Sequence, residues 1–124
     1  MTIAELFSKY NQLRPEGVVG EEELLCYLNE IEGRIKNEII DRHEGGEKIE
    51  YQPYTAQTPR DTELLAKAPY DLLYLRYLEA QTDYAIGDTK RYYNSYQVFN
   101  DALDAFAKHY NRTVMPRRTR IRYF

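Results

Sequence analysis

The sequence predicts an all-α protein, a small bundle of about four helices with one irregular loop and an extended C-terminal tail. Apolar residues recur every three or four positions in four separate segments, as they do on the buried face of a helix. The 6 glycines and 5 prolines cluster between these segments, whereas a sandwich or barrel needs turn residues at short, regular spacing. A chain of 124 residues fits one domain with a modest core.

The first helix is predicted over the segment TIAELFSKYNQL, in which Thr2 and Glu5 have the spacing of a capping box. The segment Arg14-Pro15-Glu16-Gly17 ends it. The second helix is predicted from about Glu21 to Arg42, since glutamates fill its first turn and paired glycines follow its last.

The second half of the domain begins with an irregular loop, predicted over residues 43–62. Loops of this length inside a compact domain are usually functional or ordered by a partner. The third helix is predicted to follow Ala68-Pro69, with Pro69 in its first turn, and to reach about Ile86. The fourth is predicted from about Thr89 to Tyr110. The helical domain therefore spans residues 1–111, and residues 112–124 form a basic extended tail.

The sequence predicts no catalytic residue, no metal ligand and no cofactor. His43 is expected at a solvated helix end, where the helix dipole favours an imidazolium. Its neighbours in the sequence DRHE do not converge on one point, because adjacent helical residues face apart. Cys26 stands among leucines and is expected to be a small buried hydrophobe. The chain is therefore predicted not to be an enzyme; an enzyme that uses the 43–62 loop is an alternative that rests on loop length alone.

No apolar run approaches the roughly 20 residues that a bilayer-spanning helix needs. The first residues carry acidic and polar groups where a signal peptide has an apolar block. The sequence therefore predicts synthesis in the cytoplasm and no membrane partner.

Charge is divided between an acidic body and a basic tail. Residues 1–111 hold 12 Lys and Arg against 20 Asp and Glu, whereas residues 112–124 hold five arginines and no acid. The arginines are candidates for contact with DNA phosphates or with a partner protein. The alternation at the end of the tail also suits an extended strand that docks on a partner, and we favour docking over a frayed end because exposed apolar side chains are costly. The arginines are Arg112, Arg117, Arg118, Arg120 and Arg122, and the docking residues are Ile121, Tyr123 and Phe124.

The third and fourth helices are rich in tyrosine. Eight of the 13 tyrosines lie between Ala68 and Pro116. A core of this size would more naturally use Leu, Ile and Phe, because each buried hydroxyl needs a hydrogen-bond partner. Some of these tyrosines are therefore expected to contact another subunit. The candidates are Tyr70, Tyr74, Tyr77, Tyr92, Tyr93 and Tyr96.

The same region carries a family resemblance. The run APYDLLYLRYLEAQTDYAIGD, followed by RYYNSYQVFNDALDAFAKHYNRTVMP, resembles a family of small proteins encoded in the structural modules of tailed phages and prophages of Gram-positive bacteria. The shared pattern includes the PYD start, the YLEAQ core and the closing YNRT and MP. Some members are grouped with helical head–tail connector proteins, also called neck or adaptor proteins.

The resemblance implies a subunit of a ring beneath the phage portal, assembled in the host cytoplasm and located in the virion. Its partners would be copies of itself and other neck or portal proteins, and the tail would extend onto a neighbour. The alternative function is a small nucleic-acid-binding protein that uses the arginine-rich tail, against which the acidic body argues.

Overall fold

A computed structural model describes residues 1–116 and confirms the all-α class. Over this range the chain forms no β-strand, and extended pairing is limited to isolated bridges between Thr2 and Glu63 and between His43 and Pro116. The predicted tail residues from Arg117 to Phe124 lie outside the described residues. The four α-helices are α1 (Ile3–Leu13), α2 (Glu21–Arg34), α3 (Leu72–Ala85) and α4 (Thr89–Thr113).

Helix α3 lies at the centre of the bundle and packs against each of the other three α-helices. Its apolar residues are spread too widely for a single stripe, so several of its sides must be covered. Helix α4 packs mainly along α3, and of its 25 residues only Phe99 and Phe106 are buried. Most of the long fourth helix is therefore surface. The buried apolar residues of α3 are Leu73, Tyr74, Leu75, Tyr77, Leu78 and Ala80.

Helix α1 is fixed at both ends by side chains. The Thr2 hydroxyl accepts a hydrogen bond from the Glu5 amide at 3.2 Å, as the capping spacing predicts. At the other end, the Arg14 guanidinium forms a 2.9 Å ion pair with the carboxylate of Asp83 on α3. Both side chains are buried, so this pair couples the end of α1 to the end of α3.

The second helical segment ends at Arg42 as predicted, but its hydrogen bonding changes along the way. A π-helical turn over Ile35–Ile39 follows α2, and a 3₁₀ turn over Ile40–Arg42 follows that. Lys36 joins the π-helical turn to the residues that follow it, because its ammonium binds the Asp41 carboxylate and, at 2.9 Å, the Gly46 carbonyl. A side chain at Gly46 would collide with the Ile40 carbonyl oxygen, which explains the glycine.

Two expectations about single residues in this region are wrong. His43 is buried, not solvated: its Nδ1 lies 2.5 Å from the Ile39 carbonyl oxygen and its Nε2 lies 2.7 Å from the Asn111 side-chain oxygen. Cys26 is exposed, not buried, because it falls outside the line of α2 residues that face the core. The contacts of His43 with Tyr110 and Asn111 show that the end of α4 packs on the end of the second helical segment.

The irregular loop is confirmed and is longer than predicted. A 3₁₀ turn over Gly46–Lys48 is its only regular element, and the irregular chain continues until α3 begins at Leu72. Pro69 therefore lies before α3 and not in its first turn. A turn that closes with a 3.0 Å hydrogen bond from the Tyr70 amide to the Lys67 carbonyl occupies the predicted helix start.

Two polar side chains of α2, Asn29 and Glu32, bind this loop, and Asn29 binds its first half. The Asn29 amide pairs with the backbone of Tyr54, donating to its carbonyl at 2.9 Å and accepting from its N–H at 2.8 Å. Asn29 Oδ1 also accepts a 2.7 Å bond from the Tyr51 hydroxyl. The loop is thus ordered by its own chain and does not need a partner for its conformation.

Glu32, one turn further along α2, is fully buried and binds both the loop and α3. Its carboxylate accepts hydrogen bonds from the Tyr54 hydroxyl at 2.7 Å, from the Leu65 amide at 3.1 Å and from the Tyr74 hydroxyl. Burial raises the pKa of Glu32, although the three hydrogen bonds oppose the rise. Burial and the adjacent Glu32 carboxylate also raise the pKa values of Tyr54 and Tyr74.

Candidate assembly surface

Two of the six tyrosines expected to contact a partner have internal roles instead. Tyr74 is fully buried against Glu32, and Tyr77 is 5% exposed. The Tyr77 hydroxyl donates to the Glu30 carboxylate at 2.6 Å and accepts from the Gln81 amide at 2.7 Å. Neighbouring glutamates thus satisfy the hydroxyls whose burial seemed too costly for a core. This corrects the expectation of a partner contact for Tyr74 and Tyr77.

The other four remain candidates, since they reach the surface. Tyr70, Tyr92 and Tyr96 are half-buried and Tyr93 is exposed. Tyr70 lies at one end of α4, where its ring stacks on His109 with centroids 4.5 Å apart. Tyr92, Tyr93 and Tyr96 lie near the other end.

A row of aromatic rings runs from the core to the surface along α4. Buried Phe99 contacts Tyr96 with ring centroids 5.5 Å apart, and Tyr96 contacts Tyr92 at 5.6 Å. Tyr92 in turn contacts Tyr84 of α3 at 5.2 Å and Tyr93 at 5.9 Å. The spacing of three and four residues places Tyr92, Tyr96 and Phe99 on one face of α4. The row therefore connects a buried anchor to an exposed aromatic group.

The exposed end of this row surrounds the turn between α3 and α4. A cavity of about 210 Å³ is lined by Tyr84, Tyr92 and Tyr93 together with Gly87 and Thr89. Tyr84 is 67% exposed and Tyr93 is 68% exposed. We call the three tyrosines around this cavity the tyrosine cage.

The backbone of the turn sets the geometry of the cage. Gly87 has a φ of 77°, a left-handed conformation that disfavours any other residue. Asp88 then caps α4 by accepting a 3.1 Å bond from the Arg91 amide. Buried Asp83 holds the start of α4 against α3, because it binds the Ser95 hydroxyl and lies 3.3 Å from Arg91 Nε.

Tyr84 is the cage residue that the sequence did not indicate as a contact. Tyr84 lies in the last turn of α3, next to the Asp83 that pairs with Arg14, but its own side chain is exposed. The Gly87-Asp88 turn was a usable signal, because a tight turn between two helices brings the residues that flank it together.

Within residues 1–116, no group of three or more His, Cys, Asp or Glu side chains is placed to hold a metal ion. Over the same range, no helix combines the length and the apolar character needed to cross a bilayer. Arg112, one of the five tail arginines, belongs to the last turn of α4 and is exposed.

The chain was compared with protein-family models, with curated proteins and with solved structures, and it matches none of them.

Proposed function

We propose that this protein is a non-enzymatic structural subunit that assembles with copies of itself, as a head–tail connector of a tailed phage or prophage. The observation that carries the assembly part is the exposed tyrosine cage at one end of the bundle. The resemblance of residues 68–116 to phage structural-module proteins supports the phage part.

The composition of the cage supports a protein contact. Tyrosine is enriched at interfaces, because its ring supplies apolar area while its hydroxyl tolerates water. Tyr84 and Tyr93 each expose a large ring that contacts Tyr92, and clustered exposed apolar surface is characteristic of interaction sites. A ring-shaped oligomer is built from contacts between two different surfaces of the subunit. The cage lies at one end of the bundle and can supply one of these two surfaces.

The test is sedimentation velocity of the full chain over a wide concentration range, alone and with the portal protein of the same phage. We expect species larger than the monomer, either from the chain alone or once portal protein is added. A monomer at every concentration, with and without portal protein, would contradict the proposal.

Nucleic-acid binding is the second candidate, and the arginines at the end of the chain favour it. Four arginines follow Pro116 within six residues, and Arg112 is exposed at the end of α4 just before them. Deletion of residues 117–124 should then abolish a DNA affinity that falls steeply with salt. If the full chain binds no DNA at low salt, this candidate is eliminated.

A further inference from the structure

The tyrosine cage has the form of a binding site for a cation. Tyr92 is the central ring, with Tyr84 and Tyr93 on either side at centroid separations of 5.2 Å and 5.9 Å. Their planes are inclined to that of Tyr92 by 61° and 45°, so the three rings do not stack into a closed face. The space between them is open to solvent and is about 210 Å³, which is sufficient for a guanidinium group.

Aromatic faces attract cations that lie within about 6 Å of the ring centroid, and arginine is the commonest such partner in proteins. No described cation occupies the cage. Within residues 1–116 the guanidinium that lies over a ring is that of Arg34, 6.0 Å from Phe99. Arg91, which adjoins Tyr92 in the chain, is directed to the buried carboxylate of Asp83.

We propose that the tyrosine cage binds the guanidinium of an arginine from residues 117–122 of a second copy of this chain. The inference rests on the proposed self-assembly and names the contact that makes it. The segment carries Arg117, Arg118, Arg120 and Arg122 and no acid. Residues 1–111, with 12 basic and 20 acidic side chains, attract this basic segment to the body of a neighbour.

The length of the chain after Pro116 favours binding to the cage of a second copy over binding to the cage of the same chain. Pro116 pairs with His43, which contacts Tyr110 and Asn111 at the far end of α4 from the cage. From Asn111 to Tyr92 the helix rises about 28 Å. Arg120 lies four residues beyond Pro116, so a fully extended chain carries its backbone only about 14 Å. Arg122 alone would approach the cage of its own chain, and only with a straight backbone laid along α4.

The primary test is an NMR titration of the dilute, ¹⁵N-labelled full chain with a synthetic peptide of residues 112–124. The Gly87 and Thr89 amides are the reporters, because both residues line the cavity of the cage. We expect saturable shifts at Gly87 and Thr89, and loss of these shifts when the four arginines of residues 117–122 in the peptide become glutamine. Shifts confined to another surface, or equal binding by the glutamine peptide, would overturn the proposal.

A matched pair of variants tests the nature of the contact. Tyr93→Phe keeps the aromatic face. Tyr93→Leu removes the aromatic face but keeps an apolar side chain. Because Tyr93 is 68% exposed, both variants should fold, and circular dichroism checks this. We expect Tyr93→Leu to weaken peptide binding about three- to tenfold and Tyr93→Phe to leave it within about twofold. Equal affinity of wild type, Phe and Leu variants would overturn the proposal.

Sedimentation of the same variants separates this proposal from the proposed function. If the chain assembles and Tyr93→Leu assembles equally well, the cage contact is wrong while assembly stands. If the peptide binds at Gly87 with the expected arginine dependence but the chain does not assemble, the cage contact stands and the proposed function fails.

Discussion

At the scale of single residues, buried carboxylates determine how this bundle fits together. Glu32 and Asp83 are both fully buried, yet they are satisfied differently. Glu32 accepts neutral donors from the loop and from α3, whereas Asp83 pairs with the guanidinium of Arg14. The sequence does not distinguish these two residues from the other acids, which lie mostly on solvated faces, because their environment depends on contacts far along the chain.

The pKa of Glu32 predicts a pH dependence of stability. Burial raises this pKa above its ordinary value of 4.5, so the folded state holds the proton more tightly than the unfolded state does. Stability contributed by Glu32 is therefore fully present below that value and is lost as pH rises through the folded pKa. The Glu32→Gln variant cannot titrate at this site. We expect the unfolding free energy of the wild type minus that of Glu32→Gln, from urea unfolding, to fall as pH rises above 4.5. A difference that is constant or that rises with pH would contradict this account.

The buried pair of Arg14 and Asp83 predicts a large loss on substitution. Asp83→Asn leaves the buried Arg14 guanidinium without its counter-ion, which typically costs about 3–5 kcal/mol of unfolding free energy. The matched control is Asp104→Asn, which removes an exposed partner of Lys108 and should cost no more than about 0.5 kcal/mol. Chemical unfolding measures both variants, and similar losses would show that the buried pair has no special role.

At the scale of elements, the four helices were predictable because their apolar periodicity is local information. The second helical segment, which comprises α2 and the π-helical and 3₁₀ turns after it, ends at Arg42 as predicted, and α4 begins at Thr89 as predicted. The start of α3 at Leu72 lies later than predicted, because Pro69 is compatible with either a helix N-terminus or a preceding turn. The sequence does not indicate that the loop is held by its own chain, because Asn29 and Glu32 carry no mark that distinguishes them from solvated helix positions.

The contacts of Asn29 predict which single change loosens the loop. Asn29→Ala removes the two bonds to the Tyr54 backbone and the bond from the Tyr51 hydroxyl, each worth about 1 kcal/mol. We expect faster hydrogen exchange at the Tyr54 amide, with little change in α3 and α4. The matched control is Asn37→Ala, an exposed position that should leave this exchange unchanged. Equal protection of Tyr54 in both variants would show that the side chain of Asn29 does not hold the loop.

At the scale of the whole molecule, the tyrosines divide between two roles. Tyr74 and Tyr77 build the core by binding glutamates of α2, whereas Tyr84 and Tyr93 form the exposed rim of the cage. The sequence predicted a tyrosine-rich contact surface but not this division. Whether a given tyrosine is buried depends on which residues of another helix face it, and periodicity within one helix does not contain that information.

The most direct test of the central claim, that the tyrosine cage is a subunit contact, is sedimentation velocity of the double variant Tyr84→Ser/Tyr93→Ser beside the wild type. Both side chains are mostly exposed, so the monomer should fold normally. The control is Val98→Ser, which removes an exposed apolar side chain elsewhere on α4. In whichever condition assembles the wild type, alone or with portal protein, we predict assembly of Val98→Ser and a monomer for the double variant at the same concentrations. Assembly of the double variant to the same extent as the wild type would contradict the claim.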